Sequence, residues 1–237
     1  MSWRDSRSPL CAVVLTAGDT PPDVIVTGPY SPFQEASLGL LEPLDRYLAR
    51  WKYTSRFPTG RWDVLSWQGQ VVAVPQSLDL RGIGYNKRLY AESGLDPERP
   101  PSSWEELSQY TKRLTRTEGG RVTVRGYWCH TTTGGVAQQL YWFMRQAGLS
   151  EVTNEGTSNL LHPEAHEALQ ASLELWDAGQ NSMPASGRND FTLGQVAMQY
   201  LSPPNLSWLQ DSGMMSISNV GLFAPRRSPD SVPVGDH

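Results

Sequence analysis

Residues 84–107 read GYNKRLYAESGLDPERPPSSWEEL, and this stretch constrains the fold more than any other in the chain. Lys87–Ser93 provides two turns of helix-forming residues. Gly94 supplies the left-handed residue that ends a helix, with Leu95 placed to fold back behind it. Asp96–Pro101 is a stiff connector, because Pro100 and Pro101 fix φ and have no N–H to donate. Ser103 then caps a new helix: its hydroxyl accepts a backbone N–H, and Glu106, three residues on, reaches back to a free amide. That helix runs to Leu114, with Trp104, Leu107 and Leu114 on its buried side. Ahead of the first helix, Gly82–Tyr85 reads as a strand. A strand that feeds two separately capped helices points to layered α/β architecture.

The remaining segments agree. Cys11–Thr16 and Val24–Thr27 are short β-branched runs joined by the turn-rich AGDTPPD. The pattern LGLLEPLDRYLARW predicts a helix over most of Leu38–Trp51, with Pro43 in a first turn. Val71–Val74 follows the turn Gln68-Gly69 and ends at Pro75, as a strand leaving a hairpin. Val122–Trp128 is a further strand. Apolar residues at Val136, Leu140, Phe143, Met144 and Ala147 predict a helix stopped by Gly148. Pro163–Ala178 predicts another, with Pro163 at its first position, Gly179 after its end, and Ala165, Leu169, Leu173 and Trp176 on one face. Phe191–Met198 is a short helix or turn leading into the strand Met198–Leu201. Val220–Phe223 is a last strand, and RRSPDSVPVGDH reads as loop. Strands and helices alternate, so the fold class is α/β.

Composition removes several functions. Net charge is −4 over 237 residues, and no basic run exceeds Arg226-Arg227, so the footprint of a nucleic-acid binder is missing. No apolar stretch approaches the roughly 18 residues of a membrane span. The apolar run near the N-terminus, Cys11–Leu15, is too short for a signal-peptide core. Trp (9) and Tyr (9) each outnumber Phe (5), which favours aromatics carrying a polar edge for ligand clefts, although each one singly also fits ordinary packing.

Catalytic motifs are absent or weak. HPEAH (His162–His166) spaces two imidazoles four apart, but the helix begins between them and the Glu is misplaced for a zinc site, so it reads as a solvated helix N-terminus. Neither a nucleophile elbow nor a P-loop occurs. TTTGG (Thr131–Gly135) has the small residues of an anion nest but no Lys-Ser/Thr behind it. Cys129-His130 are strand neighbours that point to opposite faces. Cys11 and Cys129 either pair or stay apart. The 24 acidic residues nominate no carboxylate pair.

Several segments, in order, resemble the extracellular solute-binding proteins of bacterial ABC importers, the carbohydrate-binding, maltodextrin-binding-like type. GYNKRLYAESGLDPERPPSSWEEL is similar to that family's Tyr-Asn-Lys, helix, Gly-Leu-Asp, Pro-Pro, Trp-Glu-x-Leu segment. AGDTPPDVIV, LLEPLDRYL, SWQGQVVAVP, FTLGQVAMQYLSPPNLSWL and NVGLFAP resemble other parts of it, and together the matches extend over Ala17–Pro225. The resemblance implies a two-lobed periplasmic-binding-protein-like fold (type II) with solute held in a cleft between lobes, no catalysis and no cofactor. It implies a partial first lobe over 1–77, a second lobe over 78–222, and the start of a return crossing over 223–237, so that the chain is a piece of such a protein with an incomplete first lobe. It also implies a sugar or polyol as solute, ABC permease subunits as partners of the full-length protein, no nucleic acid, a monomer, and a periplasmic or cell-surface location.

By position in the motifs, Thr27, Tyr30 and Phe33 face the cleft from the first lobe. Gln76, Asp79 and Arg81 offer hydrogen bonds at the crossing, unless Asp79 and Arg81 pair with each other. The second lobe contributes Trp128, His130 and Thr131 after a strand, then Tyr141 and Trp142, of which one faces the core and the other the cleft. Beyond the Ala197-Met198 strand, Ser202 and Asn205 lie in the ligand loop. That loop departs from the family's Gly-Pro-Trp pattern, and Trp208 either replaces the stacking aromatic or packs under a short helix. Trp104 and Trp176 are core residues. The residues leave one alternative, a piece of an α/β glycoside hydrolase or transferase, which needs two carboxylates about 5–10 Å apart.

Overall fold

In the computed structural model, which describes residues 3–5, 23–26, 31–57, 62, 65–76, 82–153, 157–180 and 188–227, the chain divides into the units Met1–Leu78 and Asp79–His237. In the first unit, β1 (Trp3–Asp5) pairs parallel with β2 (Val24–Val26). The proposed strand at Cys11–Thr16 lies outside the described residues. Helix α1 (Ser31–Ser37), which the sequence pattern did not reveal, closes with Gly39 N–H on Ala36 O at 2.9 Å and Leu40 N–H on Glu35 O at 3.0 Å.

The long helix expected over Leu38–Trp51 does not form; only α2 (Asp45–Leu48) is helical there. Gly39, at φ 70°, terminates α1. Pro43 then pushes Glu42 away from helical geometry and offers no donor of its own. The hairpin is also tighter than expected, with β3 (Ser66–Trp67) paired only to β4 (Gln70–Val71). Gln68 and Gly69 both take positive φ, 51° and 78°, which matches the twist of a two-residue hairpin.

The second unit is a five-stranded sheet in the order β6-β7-β8-β5-β9. Its strands are β5 (Gly82–Asn86), β6 (Arg116–Glu118), β7 (Arg121–Trp128), β8 (Val196–Leu201) and β9 (Val220–Phe223). β7 and β8 are parallel, while β5 runs antiparallel to both β8 and β9. Its helices are α3 (Lys87–Glu92), α4 (Trp104–Leu114), α5 (Thr133–Gln146), α6 (Pro163–Ala178), α7 (Arg188–Thr192) and α8 (Pro203–Ser212). β8 thus begins two residues before the strand read from sequence.

The start and stop signals around α3 and α4 form as expected. Asn86 Oδ1 accepts from the N–H groups of Arg88 (3.0 Å) and Leu89 (3.3 Å), starting α3 directly from β5. Leu95 N–H donates to Tyr90 O at 2.9 Å behind Gly94, whose φ is 68°. Ser103 Oγ accepts Glu106 N–H at 3.2 Å, and the Glu106 carboxylate reaches one residue further back than a standard capping box, to Ser102 N–H at 2.8 Å.

Leu107, Leu114, Tyr90, Tyr127, Phe143, Met144 and Met198 fill the main core, with Trp104 and Trp176 packed half-buried against it. α4 lies directly on β7: a Cβ at Gly126 would stand 1.9 Å from Thr111 O. α6 turns a different face inward from the one expected. Ala165, Ala168 and Leu175 are buried, while Leu169 and Leu173 are 45% and 51% exposed. Alanines let α6 approach α4, α5 and β7 closely, and that approach selects the small-residue side over the leucines. Val136, expected on the buried face of α5, is likewise exposed.

Candidate functional site

β7 and β8 run side by side with Trp128 opposite Gln199, so their carboxyl ends meet at one edge of the sheet. β5 enters at the same edge, Gly82 opposite Leu201. In open α/β sheets this edge is where ligands collect. Two helices start from it. Thr132 caps α5 by accepting Gly135 N–H at 3.2 Å. At α8, Asn205 Oδ1 accepts from Ser202 N–H (2.9 Å) and Oγ–H (2.7 Å).

Four rings gather here. The His130 ring meets Trp128 edge-on at 4.8 Å and Tyr200 at 5.8 Å, and Trp142 meets Tyr200 at 5.9 Å. The imidazole lies on the first turn of α5, where a Cβ on Gly135 would fall 2.8 Å from His130 Cβ; glycine is what allows the approach. His130 N–H donates to Gln139 Oε1 at 3.4 Å, and Gln139 Nε2 donates to Ser172 Oγ on α6 at 2.8 Å. The Trp128 indole N–H is buried and has no hydrogen-bond partner among the described residues.

The groups beside the rings are poor nucleophiles. Burial pushes the Cys129 thiol up to about 12, opposed in part by a hydrogen bond with Gln139. Burial likewise pushes the Tyr127 hydroxyl far up. Both are protonated at neutral pH. His162 starts α6 and bonds to Glu164. No group of three metal-ligating side chains occurs among the described residues. Shallow concavities of about 480 and 470 Å³ lie between α4 and α6, sharing Lys112 and Glu174, and none of the sequence-derived contacts lines them.

Of those contacts, Thr27, Tyr30, Asp79 and Arg81 lie outside the described residues. Phe33 sits half-buried on α1 against Trp67 at 6.3 Å, and Gln76 is exposed, both in the first unit. Thr131 follows His130 in the turn before α5 and is half-buried. Tyr141 and Trp142 both pack on the main core, and Trp142 is the one that reaches Tyr200. Trp208 stands on α8 itself and packs against the cluster Phe191, Val196, Leu201 and Leu209. The structure therefore unites Trp128, His130 and Trp142 through Tyr200, a residue the motifs did not single out. Gln139 was also missed, although a glutamine one residue before Leu140, in the apolar period of α5, was a visible signal.

Residues 11–211 match the family of bacterial extracellular solute-binding proteins. Over 46 residues the chain is 39% identical to the sn-glycerol-3-phosphate-binding periplasmic protein UgpB of Salmonella typhimurium, a stretch covering 19% of this chain and 10% of that protein. An ABC transporter solute-binding protein from Thermotoga lettingae, bound with alpha-D-tagatose, superimposes with a TM-score of 0.75 at 24% identity, covering 94% of this chain and 58% of that one. CpMnBP1 with mannobiose bound superimposes with a TM-score of 0.74 at 25% identity, covering 93% and 57%. The expected α/β fold of two-lobed binding proteins is thus the one found, and the chain spans less than three fifths of these solved relatives.

Proposed function

The chain belongs to the bacterial extracellular solute-binding proteins, and from that premise we propose that it forms part of the solute-recognition component of an ABC importer. Residues 1–77 belong to the first lobe, 78–222 to the second, and 223–237 begin the return. The solute is a carbohydrate or related polyol, bound between lobes without chemistry and passed to permease subunits. The observation that carries this reading is the ring group Trp128–His130–Tyr200–Trp142 at the carboxyl ends of β7 and β8. Sugars present flat C–H faces and rings of hydroxyls, which aromatic planes and scattered polar groups suit. The sugars carried by the two structural neighbours favour the same solute class.

A non-catalytic role is supported by the protonated state of Cys129 and Tyr127 beside the rings. The first-lobe contacts Thr27, Tyr30 and Phe33, with Gln76, Asp79 and Arg81 at the crossing, complete the proposed set alongside Thr131, Tyr141, Ser202, Asn205 and Trp208.

The test is a calorimetric and tryptophan-fluorescence titration of the full-length protein with monosaccharides, oligosaccharides, polyols and glycerol 3-phosphate. A saturable response to a sugar or polyol, weakened roughly tenfold in Trp142→Ala, is the expected result. Silence across the panel overturns the reading.

A further inference from the structure

We propose that Gln139 is a positioning residue of this site: it fixes the main chain at His130 and so sets where the imidazole stands among the rings. The inference rests on reading the ring group as the solute site.

Gln139 is 4% exposed, in the part of α5 that packs on the core. An amide there is costly unless both of its ends find partners, and an apolar side chain of similar size would suit the helix better. Its two ends do different work. Oε1 accepts His130 N–H, while Nε2 donates to Ser172 Oγ. β7 ends at Trp128, so the sheet ladder does not hold His130, and the turn crosses only a few residues before α5 begins. Gly135 and Gln139 are four apart and share one side of α5. One of them accommodates the His130 ring and the other holds its N–H. The same helix face therefore references both the ring and the backbone of His130, and the bond to Ser172 ties that face to α6.

Three variants of the full-length protein separate positioning from packing. Gln139→Met keeps the volume and removes these two bonds together with the hydrogen bond to Cys129. Ser172→Ala removes only the tie to α6. Gln139→Glu keeps the acceptor for His130 N–H. The His130 imidazole resonance, assigned with His130→Gln, is followed by NMR through a pH titration without solute, and affinity is measured with mannobiose and tagatose as probes. Gln139→Met should move the His130 resonance and its titration midpoint, and weaken the responding probe about five- to tenfold, the scale of one lost hydrogen bond. Ser172→Ala should leave both readouts near wild type, and Gln139→Glu should restore the resonance. If Gln139→Met lowers thermal stability while the His130 resonance stays in place, the residue is packing alone and the proposal is wrong. If no probe binds even the wild-type protein, the solute reading fails, while the resonance still decides the role of Gln139.

Discussion

Tyr200 and Trp142 tie the ring group together across two elements, Tyr200 standing on β8 and Trp142 on α5. Trp208 packs from α8 on the second cluster, whereas Trp142 packs on the main core and also meets Tyr200 at 5.9 Å beside His130. Tyr200→Ala or Trp142→Ala should each weaken solute binding roughly tenfold, since an aromatic contact contributes up to about 1.5 kcal/mol beyond area burial. Trp208→Phe, which keeps a ring between α8 and the second cluster, should change affinity less than twofold; isothermal titration of the three variants checks the order. Cys129 titrates far from its ordinary range of 9.0, up to about 12, because burial disfavours the thiolate. The folded pKa is raised, so the stabilising contribution is complete below pH 9 and is lost as pH climbs toward 12. Between those values the unfolded chain has released a proton that the folded one keeps, and stability falls by about 1.4 kcal/mol per pH unit from this group. Urea melts at pH 8 to 11 should show the decline, and Cys129→Ala should make it shallower.

Helices and strands were legible where a few neighbouring residues dictate the outcome. Gly94 and Leu95, and Ser103 and Glu106, act through bonds that close within one turn, Pro163 acts through its fixed φ, and the sequence states them outright. The same local chemistry was misjudged over Leu38–Trp51, where Gly39 and Pro43 outweigh an apolar period that looked helical. Which side of a formed helix is buried is a different matter, because neighbours decide it. Leu169 and Leu173 look like core in a helical wheel, yet the contacts of α6 favour Ala165 and Ala168. Close approach also explains two glycines of opposite meaning. Gly126→Ala would drive a Cβ to 1.9 Å from the Thr111 carbonyl and force α4 off β7, costing about 1–3 kcal/mol or more. Gly134→Ala, in the first turn of α5 with nothing near its added methyl, should be neutral or stabilising by up to about 1 kcal/mol. Paired thermal melts of the two variants should move in opposite directions or leave only Gly126→Ala destabilised.

At the scale of the whole molecule, the site is harder to read than the fold because its members come from separated segments. Trp128 ends one strand and His130 follows it, Trp142 stands on the next helix, and Tyr200 lies near the end of a strand that pairs with the first only after α5, α6 and α7 have intervened. Motif order could point to the first three, since each follows a recognisable strand or helix signal. Tyr200 carries no local signal; only the parallel register of β7 and β8 puts it beside His130. A site assembled in this way should bind solute only in the folded protein, so occupancy must appear as stability. At a hundredfold excess over its dissociation constant, a solute that binds only the native state adds about 2.7 kcal/mol. The full-length protein should therefore melt several degrees higher with its solute, and Trp142→Ala, which melts lower without solute because Trp142 packs on the main core, should lose about half of that added shift at the same solute concentration. A variant that keeps the whole solute-induced shift would instead limit Trp142 to packing and leave the solute to other walls.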